Sequence, residues 1–105
     1  MTELLIDHVY DGLLHWGSCD SRSDFSSRWL GANPAYYRSV VARGEAVSVQ
    51  AQVRLAATLK TIGWAYAKSK FPYFQARGAW MLSLYGELWD DLITRVLVEE
   101  DEQPS

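Results

Sequence analysis

The chain has a single cysteine, Cys19, and so cannot form an internal disulfide. A lone cysteine fits a reducing compartment, and the expectation is a cytoplasmic protein. No segment approaches the run of about 18 uncharged apolar residues that a bilayer-spanning helix needs. No basic stretch precedes an apolar run at Met1-Thr2-Glu3, so a secretory leader is not expected. No convincing strand pattern is present. Glycine-rich phosphate loops, a Gly-x-Ser-x-Gly elbow and a His-Glu-x-x-His pair are all missing, which points away from an enzyme and implies no cofactor.

Aromatic residues are plentiful. Among the 105 residues are five Trp, six Tyr and three Phe, and each large ring buries roughly 150–250 Å². A chain of this length makes one domain with one real core. Apolar residues are 49% and charged residues 22% of the whole, a balance that excludes general disorder. The net charge of −3 argues against bulk affinity for nucleic acid. Its distribution alters that conclusion. Glu99-Glu100-Asp101-Glu102 hold four of the acids, and residues 99–105 read as an acidic flexible tail. Between Arg22 and Arg43, by contrast, Arg22, Arg28, Arg38 and Arg43 face Asp24 alone. Arginine is the side chain that forks onto phosphates and guanine edges.

Helical periodicity runs throughout. Leu5, Val9, Leu13 and Trp16, joined by Ile6, Tyr10 and Leu14, predict an amphipathic first helix that Gly17 stops. Its other side carries His8, Asp11, Gly12 and His15. Ser21 and Asp24 form a capping box for a second helix to about Leu30, with Phe25 and Trp29 inward. Asn33-Pro34 opens a third: Asn caps well, and proline at the first helical position has no N–H to satisfy. Over 34–43, this helix places Tyr37, Val40 and Val41 on one face. Ala35, Tyr36, Arg38, Ser39 and Ala42 lie on the other. Ser48 caps a longer helix, which Gly63 is expected to split or end. Phe71-Pro72 forces a break, because the residue before proline avoids the helical region. A last helix then spans about 73–98.

In that last helix the apolar residues from Met81 to Leu97 cover an arc of roughly 220°, where one-sided packing needs about 100–140°. The surplus predicts a homodimer through Leu84, Leu88, Trp89, Leu92, Ile93 and Val96. The alternative is a central helix wrapped by its own domain.

Two short helices joined by Gly31-Ala32-Asn33, the second of them amphipathic, have the form of a helix-turn-helix. A steep turn favours a residue without Cβ, and Gly31 supplies it. The crossing needs small side chains, and Ser26 and Ser27 stand there. Phe25, Trp29, Leu30, Tyr37 and Val40 are the inward anchors. The outer face of the second helix is left free, and such a helix fits a major groove about 12 Å wide.

The run Asp24-Phe25-Ser26-Ser27-Arg28-Trp29-Leu30-Gly31, followed by Asn33-Pro34-Ala35-Tyr36-Tyr37, resembles the phage-repressor-like helix-turn-helix superfamily. More closely, it resembles a small uncharacterised bacterial family with a Phe-Ser-x-x-Trp-Leu-Gly…Tyr-Tyr signature, over about residues 4–60. Four positions before Gly31 stands Ser27, where the superfamily has alanine, and the apolar residue has moved to Phe25. The resemblance implies binding of double-stranded DNA, with 34–43 as the reading helix. Arg38 would fork onto guanine, with Asn33, Tyr36 and Ser39 near base edges or phosphates. Arg22 and Arg28 would lie across a phosphate backbone, and Arg43 would reach the other strand.

Other groupings read as structure. His8, Asp11, His15 and Cys19 would share one helical arc, a spacing that can hold zinc. Gly17 ends the helix first, so no metal is expected. Glu87, Asp90 and Asp91 form a solvated face. Trp64, Tyr66, Phe71, Tyr73, Phe74 and Trp80, interleaved with Lys68, Lys70 and Arg77, read as core or interface. The expectation is an all-α domain over 1–98 of about five helices. A helix-turn-helix unit (4–44) precedes two longer bracing and dimerising helices (48–98). The expected function is a small dimeric transcriptional regulator. The alternative is a protein-interaction module, an antiactivator or adaptor, using the apolar last helix.

Overall fold

The computed structural model describes the backbone of residues 2–102 and the side chains of residues 5–98. Helix α1 (Thr2–Trp16) leads to α2 (Arg22–Asp24), which runs directly into a π-helical turn (Phe25–Trp29). Helices α3 (Tyr36–Arg43), α4 (Val49–Ala67) and α5 (Pro72–Glu102) follow. The fold is all-α, with no strand among the described residues. No helix among them is long and apolar enough to cross a membrane.

The π turn is a feature that the periodicity did not predict. Ser21 caps α2 as expected, its Oγ accepting the Asp24 N–H at 3.1 Å. The winding then widens, and the Leu30 N–H reaches back five residues to Phe25 O at 3.0 Å. Two serine hydroxyls compete for backbone carbonyls in this stretch. Ser26 Oγ donates to Arg22 O at 2.9 Å, and Ser27 Oγ donates to Ser23 O at 2.7 Å. The wider turn carries an extra residue, and this settles which serine meets α3. Ser26 is fully buried, five positions before Gly31, whereas Ser27 is exposed. Gly31 has φ +64, and a Cβ there would meet Arg54 Cγ at 3.0 Å. Both its backbone conformation and its neighbour favour glycine.

Three rings tie α1, the π turn and α3 together. Tyr10, Phe25 and Tyr37 pack pairwise with centroids 4.9–5.2 Å apart. The buried Tyr37 hydroxyl donates to the Asp7 carboxylate of α1. Burial first, and then this carboxylate, push the phenol well above its ordinary range, so Tyr37 stays protonated.

Helices α4 and α5 form an antiparallel hairpin. At its tight end a Cβ on Gly78 would lie 2.6 Å from Gly63 O and from Ala67 N. Gly63 is expected from sequence to split or end α4, but α4 runs straight through it, and Gly63 instead lets α5 approach closely. Farther along, the buried Gln52 side chain donates to Leu88 O at 3.1 Å and to Asp91 Oδ2 at 2.9 Å. Its Oε1 accepts from Arg95 at 2.8 Å. Trp16 joins α1 to α5 through the rings of Tyr73 and Trp80, at 5.4 and 6.3 Å.

Three helix ends differ from expectation. Helix α3 begins at Tyr36, because Pro34 and Ala35 form a turn. Helix α5 starts on Pro72 itself, where a missing N–H costs nothing. It also runs on to Glu102, beyond the expected end at Val98. Of the expected tail, residues 103–105 lie outside the described residues. At 31 residues, a helix rising 1.5 Å per residue is about 46 Å long, and α5 alone accounts for most of the 52 Å long dimension.

Candidate nucleic-acid interface

The buried face of α3 holds Tyr37 and Val40 against α1 and the π turn. Its outer face is therefore left to solvent. Ala35, Arg38, Ala42 and Arg43 are exposed and Ser39 is half-buried, and the helix itself contains no acid. The loop before it is ordered by Asn33. Its Oδ1 accepts the Ala35 N–H at 2.9 Å, and its carbonyl accepts the Tyr36 N–H at 2.9 Å. Asn33 thus closes a turn two residues ahead instead of capping a helix that starts at Pro34.

The arginines differ in their surroundings. Arg38 forms no ion pair among the described residues. Arg28 Nη1 lies 3.1 Å from Asp24 Oδ2, one turn earlier. Arg43 Nε lies 3.2 Å from Glu45 Oε1. Arg22 shares a groove with Asp7 and Asp11 of α1. The four arginines of the basic window are therefore not four free charges, since chain folding brings in Asp7, Asp11 and Glu45 from outside it. Exposed ion pairs of this kind are weak, roughly 0–1 kcal/mol, and open readily to a competing phosphate. Arg38 has no such competition.

Tyr36 departs from its expected role. It is half-buried, and its hydroxyl accepts the Ser48 N–H at 2.7 Å. Its ring lines a polar cleft with Gly31, Ser48, Gln50 and Arg54, on the α4 side of the turn. Tyr36 thus positions α3 against the start of α4 and leaves Arg38 and Ser39 as the outward polar side chains. The same cleft brings in Arg54, which sequence reading missed. It lies near the start of α4 and packs over Gly31, so an exposed cation stands beside the turn into α3. No local pattern announces it, because the contact joins residues that are far apart in the chain.

The expected dimer residues divide in two. Leu84, Leu88 and Leu92 are 0–4% exposed and belong to the core of the chain itself. Leu84 and Leu88 cannot also meet a second copy, because their share of the wide apolar arc is used inside the chain, whereas Leu92 also reaches the outer groove. Trp89, Ile93 and Val96 are each 44–47% exposed. They line an apolar groove of about 300 Å³ with Val49, Val53, Leu92 and Leu97. In the aromatic cluster Tyr66 and Phe74 stack 5.5 Å apart, while Trp64, Phe71 and Tyr73 are largely exposed. Cys19 lies in the core, with its Sγ donating to Ser21 O at 3.2 Å. Burial raises the pKa of this thiol. Among the described residues no group of His, Cys, Asp and Glu is placed to hold a metal ion.

The fold and this surface define a small all-α protein that presents a short, acid-free helix to solvent. A model of a family of unknown function, DUF6626, matches residues 6–101, and the chain belongs to that family. No curated protein and no solved structure matches it.

Proposed function

We propose that the protein binds double-stranded DNA in a sequence-dependent way, with α2, the π turn and α3 acting as a helix-turn-helix. The observation that carries this reading is the outer face of α3. It is exposed, it bears no acid, and it holds Arg38 without an ion-pair partner among the described residues. Arg38 reads a guanine edge, with Ser39 beside it. Arg54 and Asn33 flank the turn as phosphate contacts, and Arg22, Arg28 and Arg43 contribute once phosphates displace their carboxylate neighbours. Acting as a transcriptional regulator, the protein pairs through Trp89, Ile93 and Val96. Such a dimer offers two α3 helices to half-sites about 34–36 Å apart.

Fluorescence anisotropy with the full chain tests the reading. Random duplexes are titrated at low and moderate salt, and a selected duplex pool follows. Binding that weakens steeply with salt and favours a recoverable sequence supports it. No binding at low salt would falsify it.

A second reading is favoured by the same apolar groove. Left unpaired in a monomer, the stripe of Trp89, Ile93, Val96 and Leu97 suits a different protein partner, and the chain is then an interaction module. A monomer by sedimentation, together with no duplex binding, selects that reading.

A further inference from the structure

Residues 46–86 contain no Asp or Glu, and they carry Arg54, Lys60, Lys68, Lys70 and Arg77. The last three stand around the connection between α4 and α5. Lys68 and Lys70 are exposed there, and neither forms an ion pair among the described residues. Arg77 lines a cleft together with Asp20, so it adds little to the outer charge. The same connection carries exposed rings. Phe71 is 65% and Tyr73 55% exposed, with the exposed Pro72 between them. Trp64, also exposed, stands in the last turn of α4. Exposed nonpolar side chains rimmed by charge of one sign mark an interaction site.

The packing of the rings decides which partner fits. Phe74 stacks on Tyr66 at 5.5 Å, and Phe71 and Tyr73 stand edge-to-face with Phe74 at 75° and 81°. Arg77 lies over Tyr66. The rings thus fill the spaces between one another and leave no parallel pair open to a base. Single-stranded nucleic acid needs such faces in series. What stays exposed is a short convex tip, and a convex tip suits a plane.

Its place in the molecule suits a plane too. Helix α5 accounts for most of the 52 Å long dimension, so this tip lies at one pole and the acids of 99–102 at the other. Charges farther apart than a Debye length of about 8–10 Å are largely screened. The net charge of −3 therefore does not oppose contact between the tip and an anionic surface. Aromatic side chains settle at membrane–water interfaces, and lysines beside them reach the headgroups. We propose that the α4–α5 connection docks on an anionic lipid surface, with Phe71 and Tyr73 among the headgroups and Lys68 and Lys70 on the lipid phosphates. The contact is peripheral, since no helix among the described residues is long and apolar enough to cross. It does not rest on the DNA-binding reading, because α3 meets the other end of α4, at Ser48.

Flotation of the full chain with vesicles is the test. One set is phosphatidylcholine alone, and the other includes about 30% phosphatidylglycerol. The chain should float with the anionic set, far less with the neutral one, and be released by salt. A lysine near such a surface is worth roughly fivefold in affinity, so Lys68→Gln with Lys70→Gln should weaken binding by roughly twentyfold. Phe71→Ser, at an exposed position, should weaken it as well, whereas Ile93→Ser, in the groove farther along α5, should not. No flotation at low salt overturns the proposal. So does equal flotation with neutral lipid, or a loss with Ile93→Ser and none with Phe71→Ser. Anisotropy with a single-stranded oligothymidylate reads the competing partner. Binding there that Phe71→Ser abolishes, with none to vesicles, overturns the proposal in favour of nucleic acid. A Phe71→Ser chain that leaves the vesicles and still binds duplex separates this site from α3.

Discussion

The Tyr37 N–H, at the start of α3, donates to Ser26 Oγ at 3.0 Å across eleven residues of chain. The same hydroxyl donates to Arg22 O at 2.9 Å, so one buried oxygen joins α2 to α3 and is satisfied in both directions. Ser26→Ala leaves a buried N–H without a partner and is expected to cost about 1–3 kcal/mol in urea denaturation. Ser27→Ala, at the neighbouring exposed position, should stay within about 0.5 kcal/mol. Equal costs would mean that the crossing is not made by Ser26.

Gly78 and Gly86 lie on the same helix but meet different surroundings. A Cβ on Gly78 enters the α4 backbone at 2.6 Å, while one on Gly86 meets nothing within 4 Å. Gly78→Ala should therefore destabilise by about 1–3 kcal/mol or more through overpacking. Gly86→Ala should stabilise by about 0.5–1 kcal/mol through helix propensity. Thermal denaturation of the two variants reads the difference in sign.

Leu88 and Trp89 are adjacent in sequence and differ in what they touch. Leu88→Ala opens a cavity in the core of the chain and should cost about 2–5 kcal/mol. Trp89→Lys should leave that core intact and shift sedimentation toward monomer. A Trp89→Lys chain that still sediments as the wild type does would exclude this face as the dimer contact.

Arg38→Ala is expected to cost about 1–3 kcal/mol on the preferred duplex and to relax the choice at one base pair. Arg28→Ala should weaken all duplexes alike and flatten the salt dependence. If Arg38→Ala also lost equally on every sequence, Arg38 would have no part in readout.

Alkaline pH should loosen the fold. Burial raises the Cys19 thiol and the Tyr37 phenol above their ordinary values of 9.0 and 10.0. The unfolded chain therefore releases these protons first. Their stabilising contribution is complete below the unfolded values and is lost as pH rises through the folded ones. The melting temperature should be flat from neutrality to about pH 8 and fall above that. Cys19→Ala should remove part of the slope. Native Cys19 should also react slowly with iodoacetamide, because it is both protonated and enclosed.

Much of this architecture was legible in local pattern. Ser21 and Ser48 cap helices because their hydroxyls reach N–H groups three residues on, a relation confined to one turn. The periodic stripes located α1, α4 and α5 for the same reason. What escaped was non-local. Gly63 looks like a breaker until Gly78 is seen packed against it. The wide arc of α5 looks like interface until α4 covers Leu84, Leu88 and Leu92. The basic window looks uncompensated until folding brings Asp7 and Asp11 beside Arg22. Arg54 leaves no mark in a linear pattern, because its neighbour Gly31 is distant in the chain.

The π turn makes this segment sensitive to length more than to composition. Because the turn already holds one residue more than α winding needs, deleting the exposed Ser27 would let ordinary winding return with both flanks still in register. One residue added there has no such outlet, and would turn the side chains on one side of it by about 100° relative to those on the other, parting Phe25 from Tyr37.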